Sequence, residues 1–412
     1  MLTHSLAFDM KNPPWSEIPA QAGVFALFGE DEHAEPYLNR TPDLRRRLKR
    51  LLDPKPDQSK RLQLAAQIRR IEYTLTGSEF EALLCLYQAS TEAMGERARE
   101  RMHLRAPVFL RMSMQNAFPR VYPATRLTLK ASEDLFGPFP SRWMAERWLE
   151  QTLNLFLLRR CQEDLKPDPA FPGCIYSELK KCLAPCFEGC TAARYDEESA
   201  AVHAFLATRG ESLRAKLVAE RDAASEALDF EKAAELHAKV ERVEEVIGAM
   251  PEAVRPLTQL RAVIVQPGVE PETVSLFLLD GGQLAGPVVF STHGMRHPNE
   301  QSGSSSLFAH PAMLEPVALK TDGAEGSMVV IRSKDELERR LEDALAALRG
   351  QLRRPSSALI ADHVALFKRW FYRPQTKRVG EVIFAEADGQ IPAKAVQRAI
   401  SRVYRAGQGA NA

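Results

Sequence analysis

Five of the six cysteines in this 412-residue chain fall within thirty positions, at Cys161, Cys174, Cys182, Cys186 and Cys190. Four soft donors close in sequence are what a tetrahedral thiolate shell requires, around either Zn²⁺ or an iron–sulfur cluster. Spacing does not choose between the two. The closest pairs are C-x-x-x-C, whereas a zinc ribbon carries C-x-x-C knuckles. The competing reading makes these thiols small buried hydrophobes in a helical subdomain. A second concentration of chemistry lies at Arg40, Arg45, Arg46, Arg47, Lys49 and Arg50, opposed locally by Asp43 alone. Such a run is either a phosphate-facing surface or a solvated helix face.

The length predicts two to four domains, each able to bury its own core. No stretch approaches the apolar run of a membrane span, and the first residues, MLTHSLAFDMKNPPW, lack a basic end followed by an apolar segment. A cytoplasmic protein with no membrane partner is therefore expected. In that reducing compartment a disulfide framework is not. The net charge of +1 conceals strong segregation along the chain.

The elements that must position these residues read as a mixture of helix and strand. Residues 18–28 read as a turn feeding a strand, 36–39 as a second strand, and 44–52 as a helix, with Pro42 in its first turn and Leu44, Leu48 and Leu51 on one face. Residues 61–75 read as helical then extended, and 78–94 as a helix with an apolar stripe. Short strands follow between 105 and 140. The Gly-Pro and Pro-Ser steps of LFGPFPS predict a turn before a helix from about Trp143 to Arg160.

Residues 191–250 are almost continuously helical in pattern, and 258–290 alternate in β fashion around a hairpin signal at Asp280-Gly281-Gly282. Residues 299–311 read as a polar loop, 328–333 as a strand and 335–350 as a helix. The tail after Arg405 is expected to be disordered.

Within the helical region, 217–247 carries an apolar stripe interrupted near Leu228-Asp229-Phe230, which predicts two antiparallel helices. So short a pair cannot bury both stripes alone and must lie against its own chain or a partner. Residues 217–250 hold nine acidic side chains against four basic ones, a net of −5. That charge repels a phosphate backbone, so the expected partner is a protein.

In order and spacing, LFGPFPS, NLFLLRRC, CIYSELKKCLAPC and the helix led by Tyr195 resemble the middle of the UvrC excinuclease family. The resemblance covers roughly residues 18–290. It implies a [4Fe–4S] cluster on Cys161, Cys174, Cys182 and Cys186, with Zn as the alternative and Cys190 without a counterpart. LDFEKAAEL is similar to the UVR motif, through which the family pairs with a like hairpin in its excinuclease partner UvrB. This implies partner contacts at Leu228, Phe230, Ala233, Ala234 and Leu236, although His237-Ala238 departs from the usual Arg-Asp. The N-terminal region resembles the family's GIY-YIG nuclease domain, with GVF at 23–25, Tyr37-Leu38-Asn39 at the second motif and Arg47 as the helix arginine.

At two positions where that resemblance expects chemistry, the residues differ. Phe25 replaces the first tyrosine, and Leu86 stands where a metal-holding glutamate belongs; leucine cannot ligate Mg²⁺. Glu79 and Glu81, seven and five residues before Leu86, are the candidate replacements, but a separation of five residues displaces a side chain by about 140° round a helix, so rescue needs a different register or a local distortion. Tyr37 and Arg47 then read as remnants of a catalytic set, with Mg or Mn needed only by an active nuclease.

In the C-terminal third, Asp280 reads as a turn residue and Asp362-His363 as a helix-start pair. Residues 368–378, with Lys368, Arg369, Trp370 and Arg373, either track single-stranded nucleic acid or bury their aromatics.

The expected fold class is α+β and multi-domain. It comprises a degenerate GIY-YIG-like domain at 1–104, strands with a helical Cys-cluster domain at 105–200, a UVR-like hairpin at 201–252 and a mixed domain resembling the UvrC homology region at 258–405. The expected function is DNA and partner binding in nucleotide excision repair without incision. The alternatives are an active structure-specific endonuclease and an interaction protein outside repair that acts through the hairpin.

Overall fold

The computed structural model describes residues 2–31, 34–53, 62–129, 134–163, 165–293 and 334–409. The expected loop at 299–311 and strand at 328–333 lie outside the described residues. Among the described residues the chain is α+β, with three four-stranded antiparallel sheets.

The first sheet contains β1 (His4–Ala7), β2 (Gly23–Phe28), β3 (Tyr37–Thr41) and, beyond helices α1 (Leu44–Leu52) and α2 (Leu62–Gln67), β4 (Arg70–Leu75), in the order β1-β4-β2-β3. Helix α1 starts where Asp43 accepts from Arg46 N at 2.8 Å, so Pro42 lies before the cap rather than in the first turn. Its buried face is Leu44, Leu48 and Leu52, packed on Phe25, Leu27 and Ile71; Leu51 is only partly buried.

Helices α3 (Glu79–Met94) and α4 (Ala98–Arg101) lead to the second sheet, formed by β5 (Val108–Met112), β6 (Val121–Ala124), β7 (Leu135–Phe139) and, later in the chain, β8 (Arg255–Pro256). LFGPFPS is thus not a turn at its Gly-Pro step. Leu135–Phe139 is a fully buried strand paired with β5, and the break comes at Pro140, before the Ser141 cap of α5 (Arg142–Leu153). A proline is tolerated in β7 because pairing with β8 spans only Phe136 and Gly137, and on the β5 side Pro138 falls at a register shift.

Helix α5 ends seven residues earlier than expected. Arg160 folds back to donate to Leu153 O at 2.8 Å, and the backbone beyond is held by side chains of α7 (Ala192–Ala207) instead of by its own helix. The cysteine segment is likewise not helical. Between α5 and α7, the described residues hold one four-residue turn of helix, α6 (Ile175–Glu178), and a short 3₁₀ turn at Pro185–Phe187.

Helices α8 (Glu211–Glu226) and α9 (Phe230–Gly248) form the antiparallel hairpin, joined through Leu228 at φ 58° and tied near the base by Arg214 to Glu244 at 3.1 Å. The base settles on its own chain: Val243, Val246 and Met250 join the core of Phe139, Trp148 and Phe205, and Trp148 Nε1 donates to Val246 O at 2.9 Å.

The third sheet follows the order β11-β10-β9-β12, from β9 (Ala262–Pro267), β10 (Thr273–Asp280), β11 (Gln283–Ser291) and β12 (Glu381–Phe384). Gly281 and Gly282 take φ of 55° and 82°, as a two-residue hairpin turn demands. Strand alternation sends Val263, Val265, Leu276 and Leu278 to one face, under α10 (Lys334–Gly350) and α12 (Ala393–Gly409). Ile264, Phe277 and Leu279 face the other way, toward α3 and α11 (Ser357–Phe371). The segment after Arg405 is not disordered as far as Gly409, because it continues helix α12, whose earlier turns bury Val396, Ala399, Ile400 and Val403.

The expected boundary at residue 104 therefore parts α3 from the core it helps to build. Phe80 lies edge-on to Phe277, with ring centroids 5.0 Å apart, and 4.8 Å from Trp370. At Gly77 a Cβ would stand 2.3 Å from Pro267 O, so only glycine permits the N-terminal unit to approach the β9–β10 loop this closely.

Candidate metal centre and partner surfaces

The loop after α5 is pinned from three sides. Leu157 N donates to Glu198 Oε1 at 2.7 Å, Arg159 N to the Tyr195 hydroxyl at 3.2 Å, and Leu183 N to Leu157 O at 3.0 Å. The Tyr195 hydroxyl in turn donates to Pro119 O at 2.8 Å, fixing the segment to the second sheet. Asp168 N to Cys186 O, at 2.9 Å, ties the two limbs of the loop together.

Cys161, Cys174, Cys182 and Cys186 are all free and half-buried on this scaffold. Burial pushes the Cys182 thiol up to about 11, and charge on Cys161, Cys174 and Cys186 adds to the rise. Cys186 is raised by burial first and also feels Cys174 and Cys161. Two donors already address them: Ala184 N reaches Cys182 Sγ at 3.3 Å and the buried Arg159 guanidinium reaches Cys161 Sγ at 3.4 Å. Cys190 feels Cys186 but packs partly into the neighbouring core.

Among the described residues, no three His, Cys, Asp or Glu side chains are gathered closely enough to hold a metal ion. In kind and number the four thiols are the donors a thiolate-bound group takes, but they do not stand together in the closed shell such a group needs, in which thiolates lie about 2.3 Å from a zinc ion.

In the N-terminal unit, Phe25 is entirely buried, its ring 6.1 Å from that of Tyr37. Tyr37 is 39 % exposed and its hydroxyl accepts from Asn39 Nδ2 at 3.1 Å. Arg46, Lys49 and Arg50 project to solvent and Arg47 is half-buried, while Arg45 Nε donates to Ile18 O at 2.6 Å. Arg40 is paired with Glu79 at 2.8 Å, and Arg373 holds the other oxygen of the same carboxylate. The hydrogen bond from Arg373, reinforced by Arg40, keeps the Glu79 carboxyl below its ordinary range. Glu81 is buried, accepting from Gly77 N at 3.0 Å and from the Ser275 hydroxyl at 3.3 Å, and burial raises its pKa. Leu86 packs against the core shared with α11. Both carboxylates of the first turn of α3 are thus taken up by contacts between units.

The C-terminal candidates resolve differently from expectation. Asp362-His363 is not at a helix start: Ser356 caps α11, and both residues are buried in its second turn. Asp362 accepts from the Tyr87 hydroxyl at 3.2 Å and pairs with Arg99 at 3.3 Å. His363 Nδ1 accepts from Leu284 N at 2.9 Å, and burial lowers its pKa to about 4. Asp280 flanks the turn as expected and pairs with Arg261 at 2.7 Å.

Trp370 and Phe371 are buried, which removes them as stacking platforms for bases. On the hairpin, Leu228 and Phe230 are 72 % and 67 % exposed and Ala234 is exposed, but Leu236 belongs to the buried stripe of α9 and cannot face a partner.

The span holding this cysteine scaffold, residues 108–205, matches the family model of the UvrC/Cho excinuclease middle domain. Through this region the chain is similar to the UvrC family. Among curated relatives, the UvrABC system protein C of Idiomarina loihiensis is 30% identical over 218 residues, 52% of this chain and 34% of that protein. The same-named protein of Maricaulis maris is 27% identical over 293 residues, 69% of this chain and 42% of that protein. That of Actinobacillus succinogenes is 29% identical over 232 residues, or 56% and 37%. The chain thus spans between 34% and 42% of the length of these UvrC relatives. No solved structure matches it. No helix among the described residues is long and apolar enough to cross a membrane.

Proposed function

We propose that this UvrC-type protein of nucleotide excision repair binds DNA and a protein partner and does not cut DNA through its N-terminal unit. The observation that carries this is the fate of the α3 carboxylates. Glu79 is neutralised by two arginines and Glu81 is buried under two hydrogen bonds, while Leu86 occupies the position where the GIY-YIG resemblance requires a glutamate. Phosphoryl transfer depends on positioned charge, and a divalent ion needs a free oxygen donor to be positioned at all. What remains is basic: Arg46, Lys49 and Arg50 on α1 face solvent and suit a phosphate backbone.

The exposed Leu228 and Phe230, set in an acidic hairpin, suit an apolar surface on a protein partner of the UvrB kind. Cys161, Cys174, Cys182 and Cys186 would hold a [4Fe–4S] cluster, with zinc as the alternative, and the group would supply a rigid cross-link for a loop that has little core of its own. Arg159 and the Ala184 amide would donate to the ligating sulfurs.

The test incubates the protein with nicked, bubbled and damaged duplexes and Mg²⁺ or Mn²⁺. Retention without cutting is expected, and changing Arg45, Arg46 and Arg47 to Ala should weaken retention and lower its salt dependence. Cutting that disappears in Tyr37→Phe or Arg47→Ala would overturn the proposal.

A further inference from the structure

Where α11 meets the N-terminal unit, cations from three separate stretches of chain are crowded together. Arg40 comes from β3, Arg105 from the segment after α4, and Lys368, Arg369 and Arg373 from the end of α11. Arg369 is exposed and anchored through Met102 O at 3.2 Å. Burial, then the like charges of Arg40 and Arg373, push its pKa down, and Lys368 is lowered by burial and by Arg105. Crowding like charges costs energy unless an anion is present to neutralise them. Glu79 supplies one: each of its oxygens takes a guanidinium, from Arg40 on one side and Arg373 on the other. This is the arrangement in which two arginines grip one phosphodiester group. The bridge is open to solvent, with the Glu79 side chain 48 % exposed and the arginines 26 % and 30 %.

We propose that this junction is a second phosphate-binding surface, in which Glu79 takes up part of the donor capacity of Arg40 and Arg373 that a backbone phosphate would otherwise fill, and shares the two arginines with nucleic acid when it binds. The inference rests on the DNA-binding reading above and deepens it. A strand bound here runs across both the first sheet and α11, so it engages two units at once, which a strand on α1 alone does not do.

The experiment measures binding of a fluorescein-labelled bubble duplex to the full chain as salt is varied. Glu79→Gln removes the internal anion while keeping its shape. It should bind more tightly than wild type, with a salt slope steeper by about one as additional phosphate contacts form. Arg369→Ala, which leaves the Glu79 bridge intact, should weaken binding and flatten the slope by about one.

If Glu79 is only a bolt between units, Glu79→Gln lowers the melting temperature and leaves affinity and slope unchanged, and the inference is overturned. Should that variant not fold, Arg369→Ala decides alone, and an unaltered slope is fatal. Loss of binding in the α1 triple variant together with no response at Arg369 or Glu79 defeats this surface and leaves the broader reading standing. A wild-type protein that binds no DNA defeats both.

Discussion

Helix α3 and the cysteine loop both carry side chains that could do chemistry, and the fold treats them in opposite ways. In α3 those side chains sit on an element with a large apolar face, sandwiched between the first and third sheets, and each of its first-turn carboxylates has acquired a packing partner. In the loop the sulfurs sit on backbone with almost no regular structure, held by a few side-chain-to-backbone bonds, and each sulfur stays half-exposed. A catalytic group needs a free lone pair, and burial in an interface removes it. Donors displayed on a loop keep theirs, at the cost of depending on something else to hold the loop together.

The largest effect that sharpens this contrast falls on α3. Phe80 is 1 % exposed and wedged between Phe277 and Trp370, so Phe80→Ala should cost about 3–5 kcal/mol of stability in a urea titration. The loss should appear in the third sheet's unfolding as well as the first's. A change confined to the first sheet would mean that α3 is not shared, and the contrast with the loop would fail.

The pattern of α3 as a helix was plain in the sequence, but its allegiance was not. Its apolar stripe is satisfied equally well by any apolar surface, and the contacts with Phe277, Phe367 and Trp370 join positions about 200 to 290 residues apart. Features that were legible are those decided locally: the Asp280-Gly281-Gly282 turn, the span of α1 from Leu44 to Leu52 and the hairpin break at Leu228. LFGPFPS misled because each proline is a local stop signal, and the shortness of β8 together with the register shift opposite β5 makes Pro138 acceptable inside a sheet. Helix α12 was within reach, since Val396, Ala399, Ile400 and Val403 follow helical spacing; polar flanks obscured it. For the candidate centre, the nearness of the four thiols in sequence was plain, but among the described residues they do not close into a metal-holding group, whereas the Arg40–Glu79–Arg373 bridge leaves no sequence signal at all.

A smaller effect tests what Glu81 does. Burial raises its pKa, so the folded value lies above the unfolded one. Its favourable contribution is then complete below the unfolded-state pKa and is lost as pH rises through the folded value. Glu81→Gln stays neutral throughout, so the stability of wild type relative to this variant should fall from acid toward neutral pH. A carboxylate poised for a metal gives the opposite slope, because it is stabilised as the anion. Urea titrations of both proteins at several pH values settle the sign.

The smallest stability change belongs to the loop. In metal-free protein Cys186→Ser alters a half-buried side chain outside the apolar clusters, and the cost should stay within about 0.5 kcal/mol. In protein purified anaerobically the same change should abolish bound iron and sulfide, or zinc, while Cys190→Ser leaves the content unaltered, since among the thiols Cys190 feels Cys186 alone. A dissociation between these two readouts is what separates a loop built to hold an inorganic group from a helix whose groups have turned to packing. A wild-type protein isolated folded and free of metal would erase that separation, because the thiols would then be packing residues too. Equal metal loss in both cysteine variants would instead enlarge the donor set to include Cys190.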